Sequence, residues 1–122
     1  EDQSFLDVFK QTIEPVVASF KPDIIVSVHG VDVHYLDPLT HMSCTLNTLY
    51  EIPYIVKSLA DTYTQGKVIM FGGGGYNIWK VVPRAWSHVF LALIGEQPPT
   101  GSLPERWLTK WQPYATCTLP TN

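Results

Sequence analysis

Apolar residues near the N-terminus recur at the spacing of a helix. They occupy positions three or four apart, with one adjacent pair: Phe5, Phe9, Ile13, Val16, Val17 and Phe20. Ser4 followed by Asp7 has the spacing of a capping box, which predicts that this helix begins at Ser4. Pro15 is expected to kink or restart the helix, and Pro22 to end it.

Two short apolar runs, residues 23–29 and 67–71, predict strands of the kind that is buried on both faces. Between them, helical spacing predicts a helix from about residue 45 to residue 63, which Gly66 would terminate. Two buried strands joined through a helix should pair in parallel with a right-handed crossover. Their C-terminal ends should then share one edge of the sheet, which is where ligands bind in open α/β sheets.

After the second strand the pattern predicts one long helix and a tail. Asn77 can cap this helix, Pro83 marks its first turn, and Gly95 closes it. Residues 96–122 are rich in proline, with one short helix predicted over residues 105–111. We expect this segment to be a tail that packs on the domain surface. Its packing anchors would be Trp107 and Trp111.

Composition narrows the possible classes of protein. The chain has 122 residues, 45% of them hydrophobic, which is enough for the core of one domain. A net charge of −3 without a basic stripe argues against nucleic acid as a partner. No membrane span or signal peptide is evident, and Cys44 and Cys117 are too far apart for a CxxC site, so we expect a cytoplasmic protein with two reduced thiols. The first residue is Glu1 rather than methionine, which suggests a fragment of a longer protein.

The predicted loop after the first strand is dense in possible metal ligands. It and the strand end supply five: His29, Asp32, His34, Asp37 and His41. Such nitrogen and oxygen donors suit a metal such as zinc. The alternative is that the aspartates brace turns and the histidines are ordinary core or surface residues. Asp37 is the strongest single candidate, because the proline after it restricts its backbone.

Four consecutive glycines, residues 72–75, lead into Tyr76. Missing Cβ atoms allow unusual backbone angles or a close approach of the backbone to a partner. A phosphate-binding loop is the less favoured explanation, because neither G-x-x-x-x-G-K-[ST] nor G-x-G-x-x-G occurs here. Tyr76 is either an ordinary buried tyrosine or one that presents its hydroxyl, and its position after the glycines favours the second. Near a metal, that hydroxyl could donate a hydrogen bond to the oxyanion of a tetrahedral intermediate.

Three segments together resemble a known family. They are similar to the C-terminal part of the zinc-dependent histone deacetylase superfamily, most closely its bacterial acetoin-utilisation branch. The segments are FKPDIIVSVHGVD, LDPLTH and GGGGYNIWKVVPRAW. The likeness runs from about Ser4 to Gly95. It implies an α/β fold that is part of a parallel-sheet, three-layer (α/β/α) deacetylase/arginase-like domain. Residues 1–95 would then be the C-terminal portion of the catalytic domain, and residues 96–122 its tail.

The resemblance also implies roles for individual positions. Asp37 would be a zinc ligand, and Tyr76 would donate a hydrogen bond to the transition state. Gly74 and Gly75 would help to form the channel that admits an acetyl-lysine. The reaction implied is hydrolysis of an amide by metal-activated water, with zinc or ferrous iron as the metal.

The resemblance implies that the site is incomplete in this chain. The family's other two metal ligands and its general-base histidines lie upstream of residue 1, and none of the loop histidines matches them. A catalytic zinc takes three protein ligands, so the upstream part of the same protein would complete the site, and the chain alone would be inactive. Two parallel strands alone would also expose apolar faces and unpaired edges.

The implied substrate is acetyl-lysine on a protein or a small acetylated amine, with a link to acetoin utilisation. Two other classes remain open. One is a non-catalytic α/β interaction fragment that lacks a complete metal site. The other is a nucleotide-binding α/β domain, which the absence of the phosphate-loop motifs disfavours.

Overall fold

A computed structural model describes residues 2–122 as alternating helices and strands. The elements in this part of the chain are α1 (Asp2–Phe20), β1 (Ile25–His29), α2 (Leu46–Tyr63), β2 (Val68–Gly72), α3 (Val82–Ile94) and α4 (Glu105–Trp111), followed by a 3₁₀ turn (Gln112–Tyr114). β1 pairs with β2 in parallel, in a register that aligns Ile25 with Val68 and His29 with Gly72. The predicted α/β arrangement, with a helix between two parallel strands, is confirmed.

The first helix differs from its prediction in two ways. α1 begins at Asp2, so Ser4 lies within the helix instead of capping it. The helix also continues through Pro15 and ends at Phe20 without restarting. Pro15 removes the hydrogen bond that the carbonyl of Gln11 would accept, but both residues are exposed, so water can replace the missing donor.

The third helix begins later than predicted. Asn77 closes a turn ahead of the helix, because its Oδ1 accepts a hydrogen bond from the backbone N–H of Lys80 at 3.0 Å. α3 itself starts at Val82, with Pro83 in the first turn, where the missing N–H of a proline has no cost. Gly95 ends the helix as predicted, with a left-handed φ of 77°.

The start of α1 is tied to the start of α2 through the carboxylate of Asp2. Oδ1 accepts hydrogen bonds from the backbone N–H of Thr45 at 2.7 Å and from the hydroxyl of Thr48 at 2.6 Å. Oδ2 accepts a third bond, from the hydroxyl of Thr45. Burial by itself would raise the pKa of Asp2, but these hydrogen bonds outweigh it and lower the pKa.

We expect Asp2→Asn to reduce the stability of the protein at neutral pH and to have less effect in acid. Since the folded-state pKa lies below the unfolded value of about 3.9, the stabilisation is complete above that value and is lost as pH falls through the folded pKa. Melting curves from about pH 7 to about pH 3 should show the wild-type advantage shrinking below about pH 4. Asp23→Asn, at an exposed aspartate, is the control. An advantage that does not change with pH would contradict this account.

One face of the sheet is open to solvent in this chain. Val26 and Val28 of β1 and Ile69 and Phe71 of β2 alternate toward the same side and are 43 to 67% exposed. The prediction of strands buried on both faces is therefore wrong for residues 2–122, because nothing in them covers this side. The expected exposure of apolar sheet surface is confirmed.

The principal buried cluster lies where the loop after β1 meets the beginnings of α2 and α3. It contains Val31, Leu49, Val81 and Ala85, each 6% exposed or less. Val31 belongs to that loop and Val81 immediately precedes α3. The loops that follow the two strands therefore rest on a packed core.

The tail is held by a few local contacts. The backbone N–H of Leu103 donates to the carbonyl of Thr121 at 2.7 Å, and Leu119 is buried. Trp107 is half-buried, whereas Trp111 is 36% exposed and packs edge-on against Tyr114, so Trp111 is not the anchor that was predicted. The division of the chain at residue 95 stays a prediction. None of the helices in residues 2–122 combines the length and apolarity that a membrane span requires.

Candidate active site

The loops after β1 and β2 meet at the C-terminal edge of the sheet, as the parallel pairing requires. The strand ends His29 and Gly72 are aligned in register. Just beyond them, the backbone N–H of Val31 donates to the carbonyl of Gly74 at 2.6 Å. The Asp/His-rich loop and the glycine loop thus form one continuous surface at this edge.

Asp37 is the polar centre of this surface. Its side chain is 8% exposed. Oδ1 accepts hydrogen bonds from the backbone N–H groups of Leu39 at 2.9 Å and Thr40 at 3.3 Å. Oδ2 accepts one from the backbone N–H of Tyr76 at 2.9 Å, across the two loops. Asp37 therefore does brace a turn, and it also anchors the residue that follows the glycines.

The carboxylate of Asp37 is held in its charged form. Burial would raise its pKa, but backbone hydrogen bonds, those of Leu39 and Tyr76 foremost, lower the pKa overall. Within residues 2–122 the one ion pair is Lys57 with Asp61, so this buried anion has no cationic partner there. A buried, ionised carboxylate has the chemistry of a metal ligand.

The remaining donors do not assemble into a metal site within the described residues. In residues 2–122 no three His, Cys, Asp or Glu side chains come together in a way that could hold a metal ion. Asp37 fits a zinc or iron ion as one ligand of a larger set. The five possible donors, His29, Asp32, His34, Asp37 and His41, therefore do not form a metal site among themselves within residues 2–122.

The three loop histidines have separate environments. His34 is buried and its Nδ1 accepts a hydrogen bond from the backbone N–H of Leu36 at 3.1 Å; burial, reinforced by the positive charge of Arg84, lowers its pKa. His29 is also buried, which lowers its pKa, and its Nε2 has no hydrogen-bond partner within residues 2–122. His41 is exposed. Because the pKa of His34 is lowered and its Nδ1 accepts from the backbone of Leu36, His34 is a neutral residue that braces the turn.

Close packing between the loops accounts for two of the glycines. A Cβ atom on Gly73 would lie 2.9 Å from the backbone nitrogen of Gly30. A Cβ on Gly75 would lie 2.5 Å from Cγ2 of Val31, and the φ of Gly75, 156°, is one that other residues rarely adopt. Side chains at these positions would force the loops apart.

Gly74 faces a side chain instead of backbone. Its Cβ would lie 2.6 Å from both Cγ and Oδ2 of Asp32, and a Cβ on Gly30 would lie 2.7 Å from Oδ1 of the same residue. Asp32 is half-buried and its Oδ2 accepts a hydrogen bond from the hydroxyl of Thr40 at 3.2 Å. The Asp32 carboxylate therefore occupies the space that side chains on two glycines would need.

Tyr76 presents its side chain outward from the joined loops. It is 50% exposed, so it is not the buried tyrosine of the alternative interpretation. Its neighbour Asn77 adds a second bridge, because Nδ2 donates to the carbonyl of Leu36 at 2.9 Å. The backbone of Tyr76 is thus fixed from both sides while its ring stays accessible.

Sequence reasoning missed the contacts that three residues make in these loops. Thr40 contacts both Asp32 and Asp37, and Asn77 bridges to the other loop besides closing its own turn. Asp32 was considered only as a metal ligand or a turn brace. The sequence does show polar side chains in the loops near the glycines. It does not show their hydrogen-bond partners, because those partners lie in the other loop or several residues away.

The chain matches the family model described as "Histone deacetylase domain" over residues 1–93. It is 69% identical over 120 residues to "Acetoin utilization protein AcuC" of Staphylococcus aureus (strain MRSA252), covering 98% of this chain and 31% of that protein. It is 46% identical over 122 residues to the protein of the same name in Bacillus subtilis (strain 168), covering 100% of this chain and 31% of that protein. The chain therefore spans less than a third of the length of these relatives.

A solved structure supports the same fold. The HD domain of HDA15 superposes with a TM-score of 0.68 at 24% sequence identity, over 81% of this chain and 27% of that one. At this identity the likeness concerns the fold alone. It agrees with the parallel pairing of β1 and β2 as part of an α/β deacetylase domain.

Proposed function

This chain belongs to the histone deacetylase family, and we propose that it is the C-terminal part of a metal-dependent amidohydrolase that removes acetyl groups from acetyl-lysine or a related acetylated amine. One observation carries the proposal: the backbone N–H of Tyr76 donates to Oδ2 of Asp37 at 2.9 Å. The candidate metal ligand and the candidate transition-state donor are therefore direct neighbours. The names of the relatives support a link to acetoin utilisation, and a link to acetate metabolism is part of the proposal.

Each of these residues has a defined task in the proposed reaction. Asp37, buried and ionised, would supply one ligand to zinc or ferrous iron. When bound, the metal supplies Lewis-acid polarisation of the acyl carbonyl and an activated water. Tyr76, which is half exposed, would donate a hydrogen bond from its hydroxyl to the oxyanion that develops on the carbonyl oxygen. Gly74 and Gly75 would line the approach of the acyl-lysine with their backbone, since the space that their Cβ atoms would take is filled by Asp32 and Val31.

The proposed enzyme needs more than this chain. A catalytic zinc requires three protein ligands, and Asp37 is one. The remaining ligands and the general base would come from the upstream part of the same protein, which would also cover the exposed sheet face at Val26 and Val28. A cytoplasmic location is part of the proposal, supported by the unpaired state of Cys44 and Cys117.

A second candidate function is a non-catalytic interaction fragment of the same fold. The observation that favours it is the lack of a three-ligand metal site within residues 2–122. The hydrogen bond between Asp37 and Tyr76 favours the enzyme, since it brings together the candidate metal ligand and the residue that carries the candidate transition-state donor.

Hydrolysis of an acetyl-lysine peptide tests the choice directly. The assay compares this chain with the protein extended upstream, each with and without zinc and with a hydroxamate chelator. We expect activity only in the longer protein, dependent on zinc and blocked by the chelator. A longer protein that binds zinc but cleaves neither the peptide nor a small acetylated amine would reject the proposed reaction.

A further inference from the structure

Asp32 occupies a cradle made by two glycines from different loops. Gly30 leaves room for Oδ1, and Gly74 leaves room for Cγ and Oδ2, since Cβ atoms on these glycines would come within 2.6 to 2.7 Å of them. The φ of Gly74 lies outside the left-handed region, so φ does not exclude an alanine at this position. At Gly74 the obstacle to a side chain is therefore the Asp32 carboxylate itself.

The same carboxylate is linked to the candidate metal ligand. Oδ2 of Asp32 accepts a hydrogen bond from Oγ1 of Thr40 at 3.2 Å, while the backbone N–H of Thr40 donates to Oδ1 of Asp37 at 3.3 Å. The other oxygen of Asp37 accepts from the backbone N–H of Tyr76, two residues after Gly74. Three hydrogen bonds therefore connect Asp32 through Thr40 and Asp37 to Tyr76, and two residues back along the chain Gly74 lies beside the Asp32 carboxylate.

We propose that Asp32 is a positioning residue for the deacetylase site, which sets the placement of the Asp37 carboxylate relative to Tyr76 by filling the Gly30/Gly74 cradle and holding Thr40. This inference rests on the proposed function, since it assigns Asp32 a part in the same site. Asp32 contacts the turn that contains Asp37 through its hydrogen bond with Thr40. It also fills the space beside Gly74, in the glycine run that precedes Tyr76. A side chain of different size or without an acceptor would let the two loops shift relative to each other.

Substitutions that vary the size and the acceptor of this side chain test the proposal in the protein extended upstream. Asp32→Ala should lower kcat by about 10- to 100-fold and weaken zinc binding by a similar factor, the range found when a residue that orients a metal ligand is removed. KM should change little, because the proposal gives Asp32 a part in placing Asp37 and Tyr76 and none in binding substrate. Asp32→Glu should also be damaging, since a longer side chain moves the carboxylate away from its place beside Gly30 and Gly74 and from the hydroxyl of Thr40.

Asp32→Asn is the conservative variant that separates positioning from other roles. It keeps the shape of the side chain and an oxygen that can accept from Thr40, so its kcat and zinc affinity should stay close to those of the wild type. Asp23→Ala, at an exposed aspartate before β1, is the matched control and should have no effect. Wild-type kcat and zinc affinity in Asp32→Ala would overturn the proposal, and so would an Asp32→Asn variant as impaired as Asp32→Ala.

A double-mutant cycle between Asp32 and Gly74 tests the contact without using catalysis. Gly74→Ala should lower the melting temperature and the zinc affinity, because its Cβ would overlap the carboxylate. Combining it with Asp32→Ala should cost less than the sum of the two single changes, since the double variant removes the overlap. Additive losses would overturn the proposal.

The two hypotheses fail in distinguishable ways. If the wild-type longer protein does not hydrolyse acetylated substrates, the proposed function fails, while zinc affinity and melting temperature still decide whether Asp32 positions the loops. If the wild type is active and Asp32→Ala matches it in kcat and zinc affinity, the positioning role alone is rejected.

Discussion

Tyr76→Phe is expected to lower kcat for acetyl-lysine hydrolysis by about 100- to 1,000-fold, the cost of removing one donor to a developing oxyanion. The ring remains, and the backbone N–H that anchors Asp37 is unchanged, so zinc affinity should be preserved. Because the side chain is 50% exposed, loss of its hydroxyl should not destabilise the fold. The measurement is steady-state hydrolysis of an acetyl-lysine peptide by the protein extended upstream.

Tyr54→Phe is the matched control for this prediction. Tyr54 lies on α2 and is 40% exposed, so the same atom is removed from a comparably accessible ring outside the two loops. Its kcat should equal that of the wild type. A Tyr76→Phe enzyme with wild-type kcat would show that the hydroxyl does not stabilise the oxyanion.

Asp37→Ala should abolish both metal binding and activity. Loss of a direct ligand should weaken zinc binding by more than the roughly 10- to 100-fold typical of outer-sphere changes. The substitution also leaves the backbone N–H groups of Leu39, Thr40 and Tyr76 without their acceptor. These hydrogen bonds are part-buried, so water offsets some of the about 1–3 kcal/mol that an unsatisfied buried donor costs, but the melting temperature should still fall.

Asp37→Asn separates loss of the ligand from loss of the turn. Its one acceptor oxygen can still serve Leu39 and Thr40, but its amide would face the N–H of Tyr76 donor to donor. We expect better folding than in Asp37→Ala, with zinc binding and hydrolysis still lost. Zinc affinity is measured by competition with a chelator, and Asp23→Asn is the control. An Asp37→Asn protein that binds zinc like the wild type would contradict the assignment of Asp37 as a ligand.

The sequence predicted the order of the elements because the signals for them are local. Apolar spacing identified α2 and the two strands, and Gly95 marked the end of α3 through its left-handed φ. The errors came from boundaries. Ser4 has the sequence of a cap yet lies inside α1, and the turn closed by Asn77 precedes the first residue of α3. Similar capping signals occur both at a helix start and in nearby turns.

The candidate site was predictable only in part. Asp37 and Tyr76 stand in distinctive local contexts, a proline on one side and a run of glycines on the other, and could be selected from the sequence. Asp32 could not be assigned its present place, because its environment depends on Gly74, 42 positions away in the chain. The exposure of the sheet face likewise depends on which elements pack against it, and an apolar strand has the same sequence whether covered or not.

By itself the sequence determined the α/β order of elements, the parallel pairing of two strands and the two loops at their C-terminal ends. These follow from short-range periodicity and from the geometry of a strand–helix–strand connection. Only the tertiary structure decided which atoms meet: the N–H of Tyr76 on Asp37, 39 positions apart, and the Asp32 carboxylate in the Gly30/Gly74 cradle. The physical reason is that such contacts are fixed by the packing of two loops on a shared core, which no local pattern of residues encodes.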